Sequence, residues 1–304
     1  MDECGSTRGM TTALRISGTT SGTAMAFAAM CCVQIGLAVS VGLVDRLGAG
    51  GVAWLRLAWA AVILVAIARP WRIRFSPAAL RTCVLLGVAT AGMTILFMAA
   101  AERLPLGTAV ALEFLGPLGV ALVRGRGVSR LWALVAGAGV VALTEPWHGQ
   151  TDAVGVLFAL GAALCWAAYI LLTQRAGDAA EGLGALAVSM PVAALVATFT
   201  VGPEAFAHLD WRLLLAGVGL ALLLPVVPFS LELLALRRLT AAAFGTLMCL
   251  EPAIGMIVGL TFLGQVPSPF AILGIALVIA AGIGATRTGN RPPVTTSPET
   301  LPVI

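Results

Sequence analysis

The chain has 304 residues, of which 60% are hydrophobic and only 11% are charged, and its mean hydropathy is +1.01. Soluble domains carry roughly 25% charged residues, so this composition excludes an ordinary soluble protein and indicates a membrane protein with many spans. The net charge of +4 comes from arginines dispersed between apolar runs, a pattern that does not suggest a nucleic-acid-binding protein.

Ten apolar segments, most of them close to the roughly 20 residues that cross a bilayer, follow one another with short connections. We predict ten transmembrane helices in an all-α polytopic membrane protein, with neighbouring helices antiparallel. The predicted spans are 23–44, 49–68, 80–101, 106–123, 129–145, 153–173, 183–202, 212–234, 240–262 and 270–286.

Both ends of the chain are rich in residues that disfavour a packed core. Residues 1–22 contain many Ser, Thr and Gly and are predicted to be a disordered leader. A cleaved signal peptide is the alternative, but the apolar run that follows exceeds the about 7–15 residues of a signal-peptide core. Residues 287–304 are predicted to be a disordered cytoplasmic tail.

The arginines predict the orientation. With the N-terminus in the cytoplasm, 14 of the 18 arginines fall on the cytoplasmic side, three on the outer side, and Arg56 inside a helix. Cytoplasmic loops of membrane proteins are enriched in Lys and Arg. This bias predicts that the N- and C-termini are both cytoplasmic.

Two segments suggest an internal repeat. "LPLGTAVALEFLGPLGVAL" (104–122) aligns without gaps on "LTAAAFGTLMCLEPAIGMI" (239–257), with four identical positions, one of which is Pro117 on Pro252. These segments are predicted helices four and nine, so the repeat unit is five helices, spanning 23–145 and 153–286. An odd unit reverses orientation, which predicts inverted repeats and alternating access about a central site.

Four polar residues lie within the predicted spans: Gln34, Arg56, Glu113 and Glu251. A charge at a helix centre costs about 2.5–3.5 kcal/mol on insertion scales, and such residues usually face the bundle interior. One interpretation is a structural ion pair of Arg56 with one glutamate. That pair leaves a second carboxylate, which desolvation would keep protonated part of the time, as a proton-coupled exporter requires. Carboxylates and an arginine would also recognise the ammonium and carboxylate of a zwitterion.

Prolines and aromatic residues point to the same interior. Pro117 and Pro252 lack an N–H and leave a backbone carbonyl without its helical partner, which is tolerated at membrane depth only against protein or a water-lined cavity. Trp166 and Tyr169 lie one turn apart, either in an interfacial aromatic belt or, as we favour, in a cavity wall.

Glu232 precedes Arg237 and Arg238 at the cytoplasmic end of helix eight. We favour an interfacial pair there over a site residue, because long basic side chains extend to the membrane surface.

Enzyme signatures are missing from the sequence. It contains no HExxH motif, and no GxSxG, Walker A or GxGxxG motif stands in a plausible strand–helix context. The six cysteines include no CxxC pair. We predict no enzyme activity, no metal and no cofactor.

Several motifs together resemble a known family. "GVAWLRLAWAAVILVAIARPWRIRF" (51–75), "LPLGTAVALEFLGPLGVAL", "CWAAYILLTQRAG", "LPVVPFSLELLALRRL" and "FGTLMCLEPAIGMIVGLTFLG" resemble the bacterial threonine/homoserine exporters of the EamA branch of the drug/metabolite transporter superfamily. The resemblance covers about residues 25–286. It implies ten helices in two inverted EamA repeats, a location in the cytoplasmic (inner) membrane, and proton-driven efflux of small amino acids.

The resemblance also implies site residues. The family's "LRLA", "ALEF", "SLE" and "EP" steps fall on Arg56, Glu113, Glu232 and Glu251. One departure is that the family usually ends helix nine with "FLGE", whereas this chain has Gln265, so a role for that acid at the outer mouth is in doubt.

The sequence therefore predicts a secondary exporter of threonine-like amino acids or related metabolites, acting by proton antiport. Its partners would be a small-molecule substrate, protons and membrane lipid, with no nucleic acid, and no oligomeric state follows from the sequence. The alternatives are a multidrug or other-metabolite exporter on the same fold, or an intramembrane enzyme or receptor-like scaffold.

Overall fold

The computed structural model describes residues 6–73, 75–124, 129–145, 152–177, 184–201, 210–236, 238–239, 244 and 247–288. Within these ranges the regular structure is helical. The helices are α1 (Ser6–Gly42), α2 (Val44–Ala68), α3 (Pro77–Ala101), α4 (Leu106–Glu113), α5 (Leu115–Arg124), α6 (Ser129–Thr144), α7 (Ala153–Gly177), α8 (Gly184–Thr200), α9 (Trp211–Ala221), α10 (Val227–Leu236), α11 (Glu251–Leu263) and α12 (Pro269–Thr288). A short 3₁₀ helix, Pro70–Arg72, follows α2.

Four stretches in the described part of the chain are long and apolar enough to cross a membrane: Thr20–Gly42, Val44–Arg72, Pro77–Ala101 and Ala153–Thr173. The other apolar helices are shorter, with 10–17 residues in their apolar parts. The all-helical, polytopic character predicted from composition is therefore confirmed.

The first helix differs from its prediction at one end. α1 begins at Ser6, so residues 6–22 of the predicted disordered leader are helical. They contain three glycines but no proline, and the helix continues without a break into the predicted first span. At the other end of the chain, α12 runs to Thr288, and the tail from residue 289 lies outside the described residues.

Two predicted spans are each interrupted near a proline, which cannot donate a helical hydrogen bond. The segment 106–123 is interrupted at Phe114, between α4 and α5, three residues before Pro117. The segment 212–234 is interrupted by a π-helical turn, Leu222–Val226, in which Leu224 is extended with φ −150° and ψ 104°. Leu224 stands four residues before Pro228, which has no N–H to bond the Leu224 carbonyl.

The predicted ninth span, 240–262, is described in part. A turn at Cys249–Leu250 precedes α11, which begins at Glu251. In the alignment of 104–122 on 239–257, Phe114 falls on Cys249, so the interruptions of the two segments occur at the same aligned place.

The packing of the helices follows a regular plan. α3 packs on α7, and its counterpart in the second half, formed by α9, the π-helical turn and α10, packs on α1. In the same way α4 and α5 pack on α7, and their counterpart α11 packs on α1. Three further pairs, α2 with α8, α4 with α11, and α6 with α12, join helices that would be equivalent under a five-helix repeat.

Glycines bring several of these helices into close contact. A Cβ at Gly139 in α6 would lie 3.0 Å from the carbonyl oxygen of Gly274 in α12, and a Cβ at Gly274 would lie 2.8 Å from that of Gly139. A Cβ at Gly255 in α11 would lie 2.9 Å from Gln34 Oε1 in α1. Because Gly255 has no side chain, α11 approaches α1 closely at the level of the buried polar residues, and a Cβ there would require Gln34 to shift.

Candidate functional site

A cavity of about 290 Å³ lies between the two halves of the helix bundle. Its wall includes every polar and aromatic side chain that the sequence singled out within the spans. These residues are Gln34, Arg56, Glu113, Trp166, Tyr169, Glu232 and Glu251. They come from α1, α2, α4, α7, α10 and α11, so the fold brings together residues that are up to 217 positions apart.

Arg56 is held in the middle of α2 and is only 8% exposed. Its Nη2 donates a hydrogen bond to Thr94 Oγ1 of α3 at 3.2 Å. Its Nη1 is buried without a hydrogen-bond partner, and among the described residues no carboxylate lies within ion-pair distance of the guanidinium. The structural ion pair considered from sequence is therefore not formed here, and one face of the guanidinium remains available to a ligand.

Glu251 is the first residue of α11 and is 6% exposed. Pro252 occupies the first turn of that helix, where its missing N–H costs no helical hydrogen bond. A carboxylate in the first turn of a helix is stabilised by the free backbone N–H groups and the helix dipole. The proline therefore lies in the first turn of the helix that begins at Glu251. From the sequence it was expected to break a longer helix.

Glu251 has one side-chain partner. Gln34 Nε2, which is fully buried, donates to Glu251 Oε1 at 3.5 Å. Glu251 Oε2 and Gln34 Oε1 are both buried with no hydrogen-bond partner. Buried polar atoms are nearly always paired, so these two atoms and Arg56 Nη1 are suited to bind polar groups of a ligand in the cavity.

Glu113 lies at the C-terminal end of its helix, whereas Glu251 lies at the N-terminal end of its own. It is the last residue of α4, directly before the interruption at Phe114, and is 9% exposed. Its carboxylate has no hydrogen-bond partner in the described part of the chain. The two buried carboxylates thus stand at a helix C-terminus and a helix N-terminus, which are unlike environments for a negative charge.

The aromatic wall also contains Phe97, which the sequence did not single out. Trp166 contacts Phe114 edge to face, with ring centroids 6.2 Å apart and an interplanar angle of 77°. Trp166 and Tyr169 line the cavity, as favoured over an interfacial belt. Phe97 and Thr94 were missed because a Phe or a Thr in an apolar span carries no signal of its own.

Glu232 is also part of this cavity, in α10. The interfacial pair favoured from sequence is not observed with Arg238, whose Nη1 instead donates to Ser21 Oγ at 2.9 Å. Arg237 lies outside the described residues. Pro117 and Pro252 are absent from the cavity lining and act through the helix ends that they shape.

A second pocket, of about 330 Å³, lies where the loops after α3, α6 and α11 meet. We call it the loop pocket. Gln265 lines it, and its Oε1 accepts a hydrogen bond from the Leu106 N–H at the start of α4, at 2.8 Å. The residue that departs from the family pattern therefore caps a helix here, which a glutamate oxygen would also be able to do.

An ion pair borders the loop pocket. Arg103 Nη1 lies 2.9 Å from Asp152 Oδ2, and Asp152 Oδ1 accepts from the N–H groups of Val154 and Gly155 at the start of α7. The pKa of the Asp152 carboxyl lies below its ordinary value, chiefly because the Gly155 N–H donates to it and next because Arg103 does. A lowered pKa keeps this carboxylate charged at neutral pH, and the pair is lost only as the pH falls through that lowered value.

Comparisons with known proteins agree with this architecture. Residues 153–286 match the model of the EamA-like transporter family. The threonine/homoserine exporter RhtA of Escherichia coli (strain K12) is 39% identical over 270 residues, which cover 86% of this chain and 90% of that protein. RhtA of Salmonella typhimurium (strain SL1344) is 39% identical over 269 residues, covering 87% of this chain and 91% of that protein.

The fold also resembles a solved one. A crystal structure that is 17% identical in sequence superposes with a TM-score of 0.57 and covers 87% of this chain and 95% of its own. The matching family and the threonine/homoserine exporters are named as transporters, in agreement with the non-enzyme class predicted from sequence. The chain is a multi-pass membrane protein and belongs to the EamA-like transporter family, with the threonine/homoserine exporters among its relatives.

Proposed function

We propose that this protein exports threonine, homoserine or similar small amino acids from the cytoplasm in exchange for protons. The observation that carries the proposal is the central cavity. A guanidinium nitrogen of Arg56 and an oxygen of Glu251 are buried in its wall without partners. A zwitterion supplies a carboxylate for Arg56 and an ammonium for a carboxylate of the cavity, and the unpaired oxygen of Glu251 can take a proton.

The size of the cavity suits this class of substrate. About 290 Å³ is at the lower end of the roughly 300–1,000 Å³ found for ligand sites, which favours a small metabolite over a bulky drug. Of the two buried carboxylates, Glu113 and Glu251, the ammonium of the substrate occupies one, which leaves the other for proton exchange, because an unpaired acid at membrane depth is suited to carry a proton. Glu251 is our choice for the proton, and Glu113 for the ammonium group.

The helix plan supports transport by alternating access. The packing of α3 on α7 has its counterpart in the packing of α9 and α10 on α1, and the α6–α12 contact is reciprocal at Gly139 and Gly274. Both features are those of inverted five-helix repeats, which place a central site at their interface. In this proposal residues 23–145 and 153–286 form the repeats.

Transport by the purified protein tests the proposal. In proteoliposomes with an acidic lumen, labelled threonine and homoserine are expected to accumulate, because protons leaving the lumen drive the amino acid in. A protonophore should abolish accumulation, and protein-free liposomes are the control. Accumulation of a lipophilic cationic dye without either amino acid would favour the multidrug alternative and overturn the substrate proposed here.

Reporter fusions test the proposed orientation. The 14-to-three distribution of loop arginines supports cytoplasmic termini. Alkaline phosphatase fused after Gly264, between α11 and α12, is expected to be active, and the same enzyme fused after Arg175, at the end of α7, is expected to be inactive. The opposite pattern would contradict the predicted cytoplasmic termini and would exchange the outer and cytoplasmic faces of the molecule.

A further inference from the structure

Two contacts at different places in the fold have the same construction. At the first, Arg103 and Leu104 pack against the backbone of Gly155, near the start of α7. A Cβ at Gly155 would lie 2.9 Å from Arg103 Cβ and 2.9 Å from Leu104 Cγ. The Arg103 side chain closes this contact through its ion pair with Asp152, at 2.9 Å.

At the second, Arg238 and Leu239 pack against Gly22 of α1. A Cβ at Gly22 would lie 3.0 Å from Arg238 Cβ and 2.9 Å from Leu239 Cγ. The Arg238 side chain again closes the contact, donating to Ser21 Oγ at 2.9 Å and to Met25 Sδ at 3.0 Å. We call these contacts the Arg103 clasp and the Arg238 clasp.

The clasps correspond under the five-helix repeat. Leu104 aligns with Leu239, and α7 corresponds to α1 as the first helix of its half. Each clasp joins that first helix to the chain that leads into a carboxylate-bearing segment, because Glu113 follows Leu104 and Glu251 follows Leu239. Since the halves are inverted, the Arg103 clasp lies at the outer face and the Arg238 clasp at the cytoplasmic face.

We propose that the two clasps are the paired closures of the transport cycle, released in turn to open the cavity to one side of the membrane and then to the other. This inference rests on the proposed alternating access. Arg103 and Arg238 are positioning residues, because they do not line the central cavity with Arg56 and Glu251 but anchor the segments that carry its carboxylates. Release of a clasp frees one end of such a segment to move.

The two closures differ in chemistry. Arg103 pairs with a carboxylate that also caps α7, whereas Arg238 bonds a hydroxyl and a thioether. An ion pair is screened by salt, and a hydrogen bond to a neutral group is affected less. The outer clasp is therefore expected to be the more sensitive of the two to ionic strength.

Disulfide locks test the inference. The Cβ separations of 2.9 Å for Arg103 with Gly155 and 3.0 Å for Arg238 with Gly22 lie below the about 3.5–4.5 Å of a disulfide, so each bond requires the two backbones to move apart by about 0.5 Å. In a background without the six native cysteines, one variant carries Arg103→Cys with Gly155→Cys, and the other carries Arg238→Cys with Gly22→Cys. Each oxidised variant is expected to lose threonine transport at least tenfold and to recover it on reduction, whereas the single-cysteine variants are unaffected by oxidant.

A second pair at each face covers the case in which loss of an arginine prevents folding. Leu104→Cys with Gly155→Cys, and Leu239→Cys with Gly22→Cys, keep both arginines and place the sulfur where each leucine Cγ now lies. Oxidised, cross-linked protein that transports at the rate of its reduced form would overturn the inference.

An accessibility readout separates this outcome from failure of the proposed function. A single cysteine at Met93, in the cavity wall, is labelled with a membrane-impermeant maleimide from either side. Locking the Arg238 clasp is expected to block labelling from the cytoplasmic side only, and locking the Arg103 clasp from the outer side only. That result would support the clasps even if threonine were not the substrate, and unchanged labelling from both sides would refute them whatever the substrate is.

Discussion

Replacement of Glu251 by Gln is expected to abolish threonine accumulation driven by a pH gradient, with a loss of at least tenfold, while exchange of labelled for unlabelled threonine persists. The amide keeps an oxygen that can accept from Gln34 Nε2, so the local hydrogen bond survives and only the titratable proton is removed. Driven accumulation needs that proton at every turnover, whereas exchange does not. The measurement is initial accumulation and exchange in the same batch of proteoliposomes.

Glu113→Gln is the matched control for this experiment. Glu113 lies in the same cavity but at the end of α4, where the proposal assigns it to the ammonium group. Its replacement is expected to impair driven accumulation and exchange together. Undiminished driven accumulation in Glu251→Gln, or loss of exchange equal to the loss of accumulation, would contradict the proton role of Glu251.

The helical class and most span boundaries followed from the sequence because lipid exposure imposes apolar runs of nearly fixed length. The interruption near Phe114 was indicated by Pro117, since a proline removes a hydrogen bond at a known place. The extended conformation of Leu224 was not predictable from a proline alone, because it also depends on α1, where a Cβ at Gly36 would lie 2.8 Å from Leu224 Cγ.

The charged members of the site were predictable for a similar physical reason. A charge in an apolar span is costly, so Arg56, Glu113 and Glu251 stand out in the sequence. Contacts between distant residues were not predictable: Thr94 was found as the partner of Arg56 only in the structure, across 38 residues. The place of Glu232 in the cavity wall was not predictable from adjacency in sequence, which suggested Arg238 as a partner, whereas Arg238 turns toward α1.

The structure also changes the interpretation of the Glu251–Pro252 pair. The sequence suggests that Pro252 breaks a long helix. In the structure Pro252 lies in the first turn of α11, and Glu251 is the N-terminal residue of that helix. That position reduces the cost of a buried carboxylate through the backbone N–H groups around it. Glu113, at the other kind of helix end, lacks this support, so the two acids lie in unlike electrostatic surroundings.

Replacement of Arg56 by Gln is expected to raise the KM for threonine about ten- to a hundredfold, because a hydrogen bond to a charged group contributes about 1.5–3 kcal/mol and about 1.4 kcal/mol corresponds to tenfold in affinity. Arg56→Lys should recover only part of the loss, since an ammonium cannot bind a carboxylate through two parallel N–H groups.

Competition by an amino alcohol that lacks the carboxylate separates this role of Arg56 from a structural one. Its weak inhibition of threonine transport should be the same in the wild type and in Arg56→Gln, because the group that Arg56 binds is missing from the competitor. Thr94→Val, which removes the hydroxyl that accepts from Nη2 but leaves the charge in place, should raise the KM less than Arg56→Gln does. An equal rise in KM from Thr94→Val and Arg56→Gln would mean that the placement of this side chain, and not its charge, governs transport, and the assignment of Arg56 to the substrate carboxylate would then be wrong.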